Sequence, residues 1–188
     1  MKIAIIIIIT AAALLVFVLV LLRRKSKSAG LLKAGESAPD FTLNSQESKP
    51  VSLQALRGKW VVLYFYPKDL TPGCTIEARH FQRDLPQYEQ RDAVILGVST
   101  QDESSHQNFC AKEGLHFKLL ADRDRKVSAA YGSLADYVVT SISARHTFLI
   151  DPEGRIAKAY ESVQVSGHSE EILKEIDALI HARIGAVG

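Results

Sequence analysis

Residues 3–22, IAIIIIITAAALLVFVLVLL, are twenty consecutive positions without a charge. As a helix they would span roughly 30 Å, the thickness of a bilayer core. The run is longer than the apolar part of a signal peptide, has no polar face, and is followed at once by RRKSKS instead of a small-residue cleavage site. It predicts a single-pass anchor with its basic flank over 1–25, then a tether over 26–35 and a globular domain over 36–188. Arg23, Arg24, Lys25 and Lys27 outweigh Lys2 on the other side. The positive-inside rule therefore predicts a cytoplasmic domain, with the periplasmic or exported side as the alternative.

Beyond the tether the pattern changes to short periodic segments. APDFTLNSQESKPVSL predicts two extended pieces around a turn-rich centre, a hairpin. WVVLYFY (60–66) is continuously apolar, β-branched and aromatic, as a strand buried on both faces requires. A helix is predicted from about Pro72, with Ile76, Phe81, Leu85 and Tyr88 on its apolar side and a kink at Pro86. AVILGVST (93–100) is a second buried strand. DESSHQNFCAKEG is a helix capped by Asp or Ser and stopped at Gly114. HTFLID and IAKAYES flank a turn at Pro152–Gly154, and SEEILKEIDALIHARIG closes the chain as an amphipathic helix bearing Ile172, Ile176, Leu179 and Ile180. The order β-α-β-α-β-β-α predicts an α/β fold, a mixed sheet with helices on both faces. Trp60 and the tyrosines are expected in the core, and ADRDRK (121–126) as a solvated turn.

Charge alters the picture only after division. The chain carries a formal +2, but six of its 23 Lys and Arg lie in residues 1–33 and all 21 acidic residues lie beyond. The remainder is net negative, so no basic face for nucleic acid is indicated. Two cysteines, Cys74 and Cys110, supply neither a disulfide scaffold nor a zinc spacing. The six histidines form no ligand pair, and His80 lies too far round its helix from Cys74 to suggest a Cys-His hydrolase.

Candidate chemistry gathers at YFYPKDLTPGCTIEARHF (64–81), where a buried strand ends and a cysteine opens a helix. The unpaired N–H groups and partial positive charge of a helix N-terminus favour a thiolate at Cys74. Arg145, directly before HTFLID, is the best-placed cation to reinforce it. Thr71 offers a hydroxyl to thiolate or substrate, while Pro67 and Pro72 stiffen the loop. Glu77 and Arg79 are expected to make contacts on the helix surface, with Glu77 also able to help position the loop. Each residue alone would also fit an ordinary helix start, with Thr71 as N-cap, Pro72 at N1 and Cys74 as a small core residue.

Taken together, YPKDLTPGCT resembles the peroxidatic loop of the peroxiredoxins, and CTIEARHF resembles the peroxiredoxin Q, or bacterioferritin-comigratory, branch. GESAPDFTL, VILGVSTQDESSHQNFCAKEGLHFKLLAD and RHTFLIDPEGRI fit in order, so the resemblance covers roughly residues 33–185. It implies a thioredoxin-like fold and reduction of hydrogen peroxide or organic hydroperoxides without metal, haem or flavin. It further implies Cys74 as peroxidatic cysteine, supported by Thr71, Pro67 and Arg145, and a monomer regenerated by thioredoxin or a similar dithiol protein. Many members of this branch carry a resolving cysteine five residues after the first; here Arg79 stands there. Either one cysteine suffices, or Cys110 resolves, as in some peroxiredoxin Q-like proteins. Leu70 departs from the more polar residue expected at its position. Two rivals remain: a disulfide reductase, for which the CxxC partner is missing, and a membrane-anchored interaction module on a silent thioredoxin fold.

Overall fold

The computed structural model describes residues 30–137 and 140–187. The expected anchor over 1–25 lies outside them. Among the described residues no helix is long and apolar enough to cross a membrane. Of the expected tether, the described part lies against the domain. Leu31 and Leu32 pack on the core, and the Gly35 N–H donates to the Ile156 carbonyl at 2.8 Å.

The predicted hairpin is present as β1 (Thr42–Asn44) paired antiparallel with β2 (Pro50–Ser52), followed by a 3-10 turn at Gln54–Leu56. β3 (Trp60–Phe65) is buried at all six positions. Its even residues, Trp60, Val62 and Tyr64, face one apolar cluster, while Val61, Leu63 and Phe65 face the other. This two-sided burial explains why the segment shows no alternation. α1 (Pro72–Glu89), β4 (Ala93–Ser99) and α2 (Glu103–Glu113) follow. Asp102 caps α2 by accepting from the Ser105 N–H at 2.9 Å, and Gly114 ends it in the left-handed conformation, φ +63°.

β5 (Lys118–Ala121), α3 (Lys126–Ala130) and the hairpin β6 (Leu134–Asp136) with β7 (Ser141–Ser143) were not predicted. Each is five residues or shorter, too brief to show a period. β5 is defined by parallel pairing with β4, which no local pattern announces. Within the predicted solvated turn, Asp122 is fully buried and accepts from the Val127 and Ser128 N–H groups, starting α3. β8 (His146–Ile150) and β9 (Ile156–Tyr160) form the expected hairpin, and α4 (His168–Val187) closes the chain. The sheet order is β5-β4-β3-β8-β9, with β3, β4 and β5 parallel and β8 and β9 antiparallel. α1, α2 and α4 contribute to the first cluster, and α3 with the N-terminal hairpin to the second. The mixed sheet covered on both faces is the predicted architecture.

Two expectations need correction. Ile76 does not join the core but is 42 % exposed; the buried stripe of α1 is Cys74, Ala78, Phe81 and Tyr88, with Leu85 partly covered. α1 continues through Pro86, which lies on its exposed side, to Glu89. Tyr137 is 61 % exposed, unlike Trp60 and the other tyrosines, which are buried. Gly97 on β4 has a packing reason: a Cβ there would stand 2.8 Å from the Tyr64 hydroxyl and 2.6 Å from Leu119. Tyr64 therefore lies against β4, its ring tilted 32° to that of Phe81 on α1 with centroids 4.7 Å apart.

Candidate active site

The site forms where β3 ends and α1 begins, at the carboxyl end of the parallel strands. Pro67 follows the last residue bound to β4, since the Tyr66 N–H donates to the Val98 carbonyl at 3.1 Å. Having no N–H of its own, it ends the ladder and turns the chain outward. Thr71 has extended backbone at the N-cap and Pro72 fills N1. The first helical bond runs from the Thr75 N–H to the Thr71 carbonyl at 2.9 Å, so the amides of Gly73 and Cys74 have no acceptor within the helix.

Cys74 is 1 % exposed and its thiol is free. Arg145, the residue before β8, crosses to it: Nη2 donates to Cys74 Sγ at 3.2 Å. The antiparallel pairing of β8 with β3 sets this reach, because His146 stands opposite Phe65 at the end where β3 feeds the loop. Gly73 leaves room for the guanidinium; a Cβ there would stand 3.3 Å from Nη2. Cys74 and Arg145, 71 residues apart in sequence, are thus brought together as predicted.

Thr71 differs from expectation in its bonding. Its hydroxyl donates to the Lys68 carbonyl at 2.9 Å and neither caps the helix nor meets the thiol. The bond fixes the rotor and leaves oxygen lone pairs free to accept from a hydroxyl donor. Leu70, beside it, holds φ +60° and is 39 % exposed.

Glu77 is not a surface residue. It is 1 % exposed, and its Oε2 accepts from Arg145 Nη1, while Oε1 is buried without a partner. Burial pushes its carboxyl up to about 7, the charge of Arg145 offsetting only part of the rise. Arg145 therefore forks between a carboxyl group and a sulfur, which fixes its plane. Sequence reasoning placed Glu77 on the surface and missed its pairing with Arg145, which lies 68 residues away. Position was the available signal: Glu77 falls one turn after Cys74, on the same face of α1.

An acid raised in the folded state opposes folding once ionised, so this group lowers stability as pH rises from about 4.5 to about 7. Glu77→Gln is expected to flatten that slope. The urea stability of the variant relative to the unsubstituted protein should improve by about 1–3 kcal/mol between about pH 5 and about pH 8. Parallel pH profiles would contradict this.

Cys110 lies on α2, 8 % exposed and also free. Burial, with a smaller push from Asp69, raises its thiol to about 12. It shares the apolar cluster of Cys74, with Tyr64 and Tyr66 in the same layer. Arg79 is a surface residue as predicted; its Nε donates to Glu113 Oε2 at 2.6 Å, linking α1 to the end of α2. His106 and His168 are fully buried, and His168 pairs with Thr147 at 2.9 Å.

Chemically, the site offers one thiol held against a guanidinium at a helix mouth, in a loop with few free donors. Such an arrangement stabilises charge on sulfur and on an oxygen leaving beside it.

Known proteins share this architecture. Residues 34–159 match the AhpC/TSA family. Peroxiredoxin Bcp of Xanthomonas campestris and that of Bacillus subtilis are each 38% identical over 148 and 152 residues, covering 77% of this chain and 91% and 95% of theirs. The solved structure of X. campestris peroxiredoxin Q is 37% identical, with a TM-score of 0.72 over 77% of this chain and 97% of that one. Two of its single Cys-to-Ser mutants have been solved, at positions 36 residues apart, the separation of Cys74 and Cys110 here. The fold is accordingly the thioredoxin-like fold of the peroxiredoxins. With relatives matched along nearly their whole length, the chain belongs to the AhpC/TSA family, in the branch of the Bcp and Q peroxiredoxins, and is a thiol-dependent peroxidase.

Proposed function

We propose that Cys74 is the peroxidatic cysteine of this chain and Cys110 its resolving cysteine. The observation carrying the first assignment is the 3.2 Å contact between Arg145 Nη2 and Cys74 Sγ at a helix N-terminus. The Cys74 thiolate attacks the terminal oxygen of the peroxide; the S–O bond forms, the O–O bond breaks, and water or an alcohol leaves after taking a proton. Arg145 and the free amides of α1 stabilise the charge as it moves from sulfur to the leaving oxygen. The lone pairs of Thr71 accept from the peroxide hydroxyl, and Pro67 keeps the loop rigid. The Cys110 sulfur then displaces the oxygen of the sulfenic acid as water. Thioredoxin or a similar dithiol protein returns the disulfide to two thiols. Hydrogen peroxide and organic hydroperoxides are the substrate class; alkyl peroxide reduction is described for the X. campestris bacterioferritin comigratory protein, 36% identical. The enzyme acts as a monomer, with both cysteines from one chain. Non-reducing peptide mapping after one equivalent of peroxide is expected to join Cys74 to Cys110 within one chain. Sulfenic acid alone, together with normal thioredoxin-coupled turnover by Cys110→Ser, would make it a one-cysteine enzyme.

The same proposal includes the anchor at 3–22, with the domain on the cytoplasmic side. The chain joins the domain beside Gly35 and the β8–β9 turn, whereas Arg145 stands at the other end of β8. The five residues of β8 separate these ends by about 17 Å, so the site lies at the end of the sheet opposite the point where the chain joins the domain. The full chain is expected to stay with membranes after a high-salt wash; release into the soluble fraction would count against the anchor.

A further inference from the structure

Asp69 belongs to the loop that leads to Cys74, yet its partners lie around α2. Its N–H donates to Gln101 Oε1 at 2.5 Å, and Gln101 Nε2 donates to Ser105 Oγ at 2.9 Å. The Asp69 carboxylate accepts from the Tyr66 hydroxyl at 2.7 Å and the Ser105 hydroxyl at 2.7 Å, and pairs with His106 Nδ1 at 2.9 Å. The other ring nitrogen, His106 Nε2, faces the Leu120 carbonyl at 3.2 Å. Both ring nitrogens thus face oxygen atoms, which holds the ring between Asp69 and β5. Asp69 is 4 % exposed and His106 is fully buried. Burial works against the carboxylate charge, but the bonds from His106, Ser105 and Tyr66 outweigh it and hold the carboxyl below its ordinary range.

The placement of this pair is what matters. Asp69 lies in the loop before α1, and His106 lies one turn before Cys110 on α2. The pair thus joins the loop of one cysteine to the helix of the other. Leu70 stands between Asp69 and Thr71 at φ +60°, a conformation disfavoured for a residue with a Cβ. A disulfide needs Cα atoms within about 7 Å, which two intact helices rarely offer, so joining the cysteines requires local unwinding.

We propose that the buried hydrogen-bonded pair of Asp69 and His106 is the latch that keeps the Cys110 helix closed against the Cys74 loop. This rests on Cys110 as resolving cysteine for its consequence in turnover, though not for the latch itself. While the latch is closed, Cys74 sulfenic acid waits, and a second peroxide oxidises it to sulfinic acid with release of water or alcohol. When the latch opens, Cys110 forms the S–S bond and the sulfenic oxygen leaves as water. The latch therefore sets the division between turnover and over-oxidation.

The test reads the opening first and the chemistry second. In the full chain carrying Cys74→Ser, Cys110 is the one remaining thiol, and its labelling by N-ethylmaleimide reports opening of α2. Adding Asp69→Asn is expected to speed labelling at least about tenfold, because an amide cannot accept all the bonds that the carboxylate takes from Tyr66, Ser105 and His106. Ser105→Ala, which keeps the Asp69–His106 bond, should speed it only about threefold. Both rates should be insensitive to low urea, the mark of local rather than global opening. Unchanged labelling in folded variants, or labelling that tracks global unfolding, overturns the latch. With both cysteines present, Asp69→Asn should form the disulfide faster and yield less sulfinic acid by mass. Faster labelling without any Cys74–Cys110 disulfide in either protein would uphold the latch and reject Cys110 as resolver.

Discussion

Cys74→Ser is expected to reduce peroxide turnover to background, a loss of at least about 10⁴-fold of the kind seen when a nucleophile is removed. The serine hydroxyl keeps the size of the side chain but offers no oxidisable sulfur. Cys110 cannot substitute, because it lies buried on α2 with its thiol raised to about 12. The fold should survive, since the change removes no hydrogen bond except that from Arg145 Nη2. Peroxide consumption by the full chain with a dithiol reductant measures the effect. Turnover by Cys74→Ser near that of the unsubstituted protein would remove the basis of the proposed mechanism.

Arg145→Ala should slow the peroxide step by about 10²–10³-fold, the usual effect of removing a donor aimed at developing charge. Arg145→Lys should recover little, because a single ammonium cannot fork between Glu77 and Cys74. A confounding effect is the buried Glu77, which loses its cation in the alanine variant and is left at 1 % exposure. The double variant Arg145→Ala with Glu77→Gln removes that charge. It should be as slow as the single variant while unfolding cooperatively in urea. Recovery of activity in the double variant would assign the loss to Glu77 and not to the absent guanidinium.

The parts of this fold legible in the sequence are those whose cause is local. β3 could be found because burial on both faces leaves a continuous apolar run, and α1 because Thr71 and Pro72 mark its start. Arg145 was accessible for a subtler reason: its position just before a strand predicted that the sheet would aim it. The misassignment of Ile76 shows the limit of periodicity. An intrinsically apolar side chain was counted toward the core, while the small Ala78 that helps to fill it was not. β5 and the β6–β7 hairpin exist through pairing with distant strands or each other, and three or four residues carry no period. Glu77 and Asp69 were hidden more completely. Acidic residues near a helix start ordinarily face water, and only Arg145 and His106, contributed by other elements, make their burial possible.

Intact mass of the full chain after one equivalent of hydrogen peroxide, with and without a sulfenic-acid trap, tests the role of Cys74 most directly. The expected result is loss of two hydrogens as a Cys74–Cys110 disulfide, with the trap adding to Cys74 when Cys110→Ser blocks resolution. No change of mass, or a trapped adduct that persists in Cys74→Ser, would contradict it.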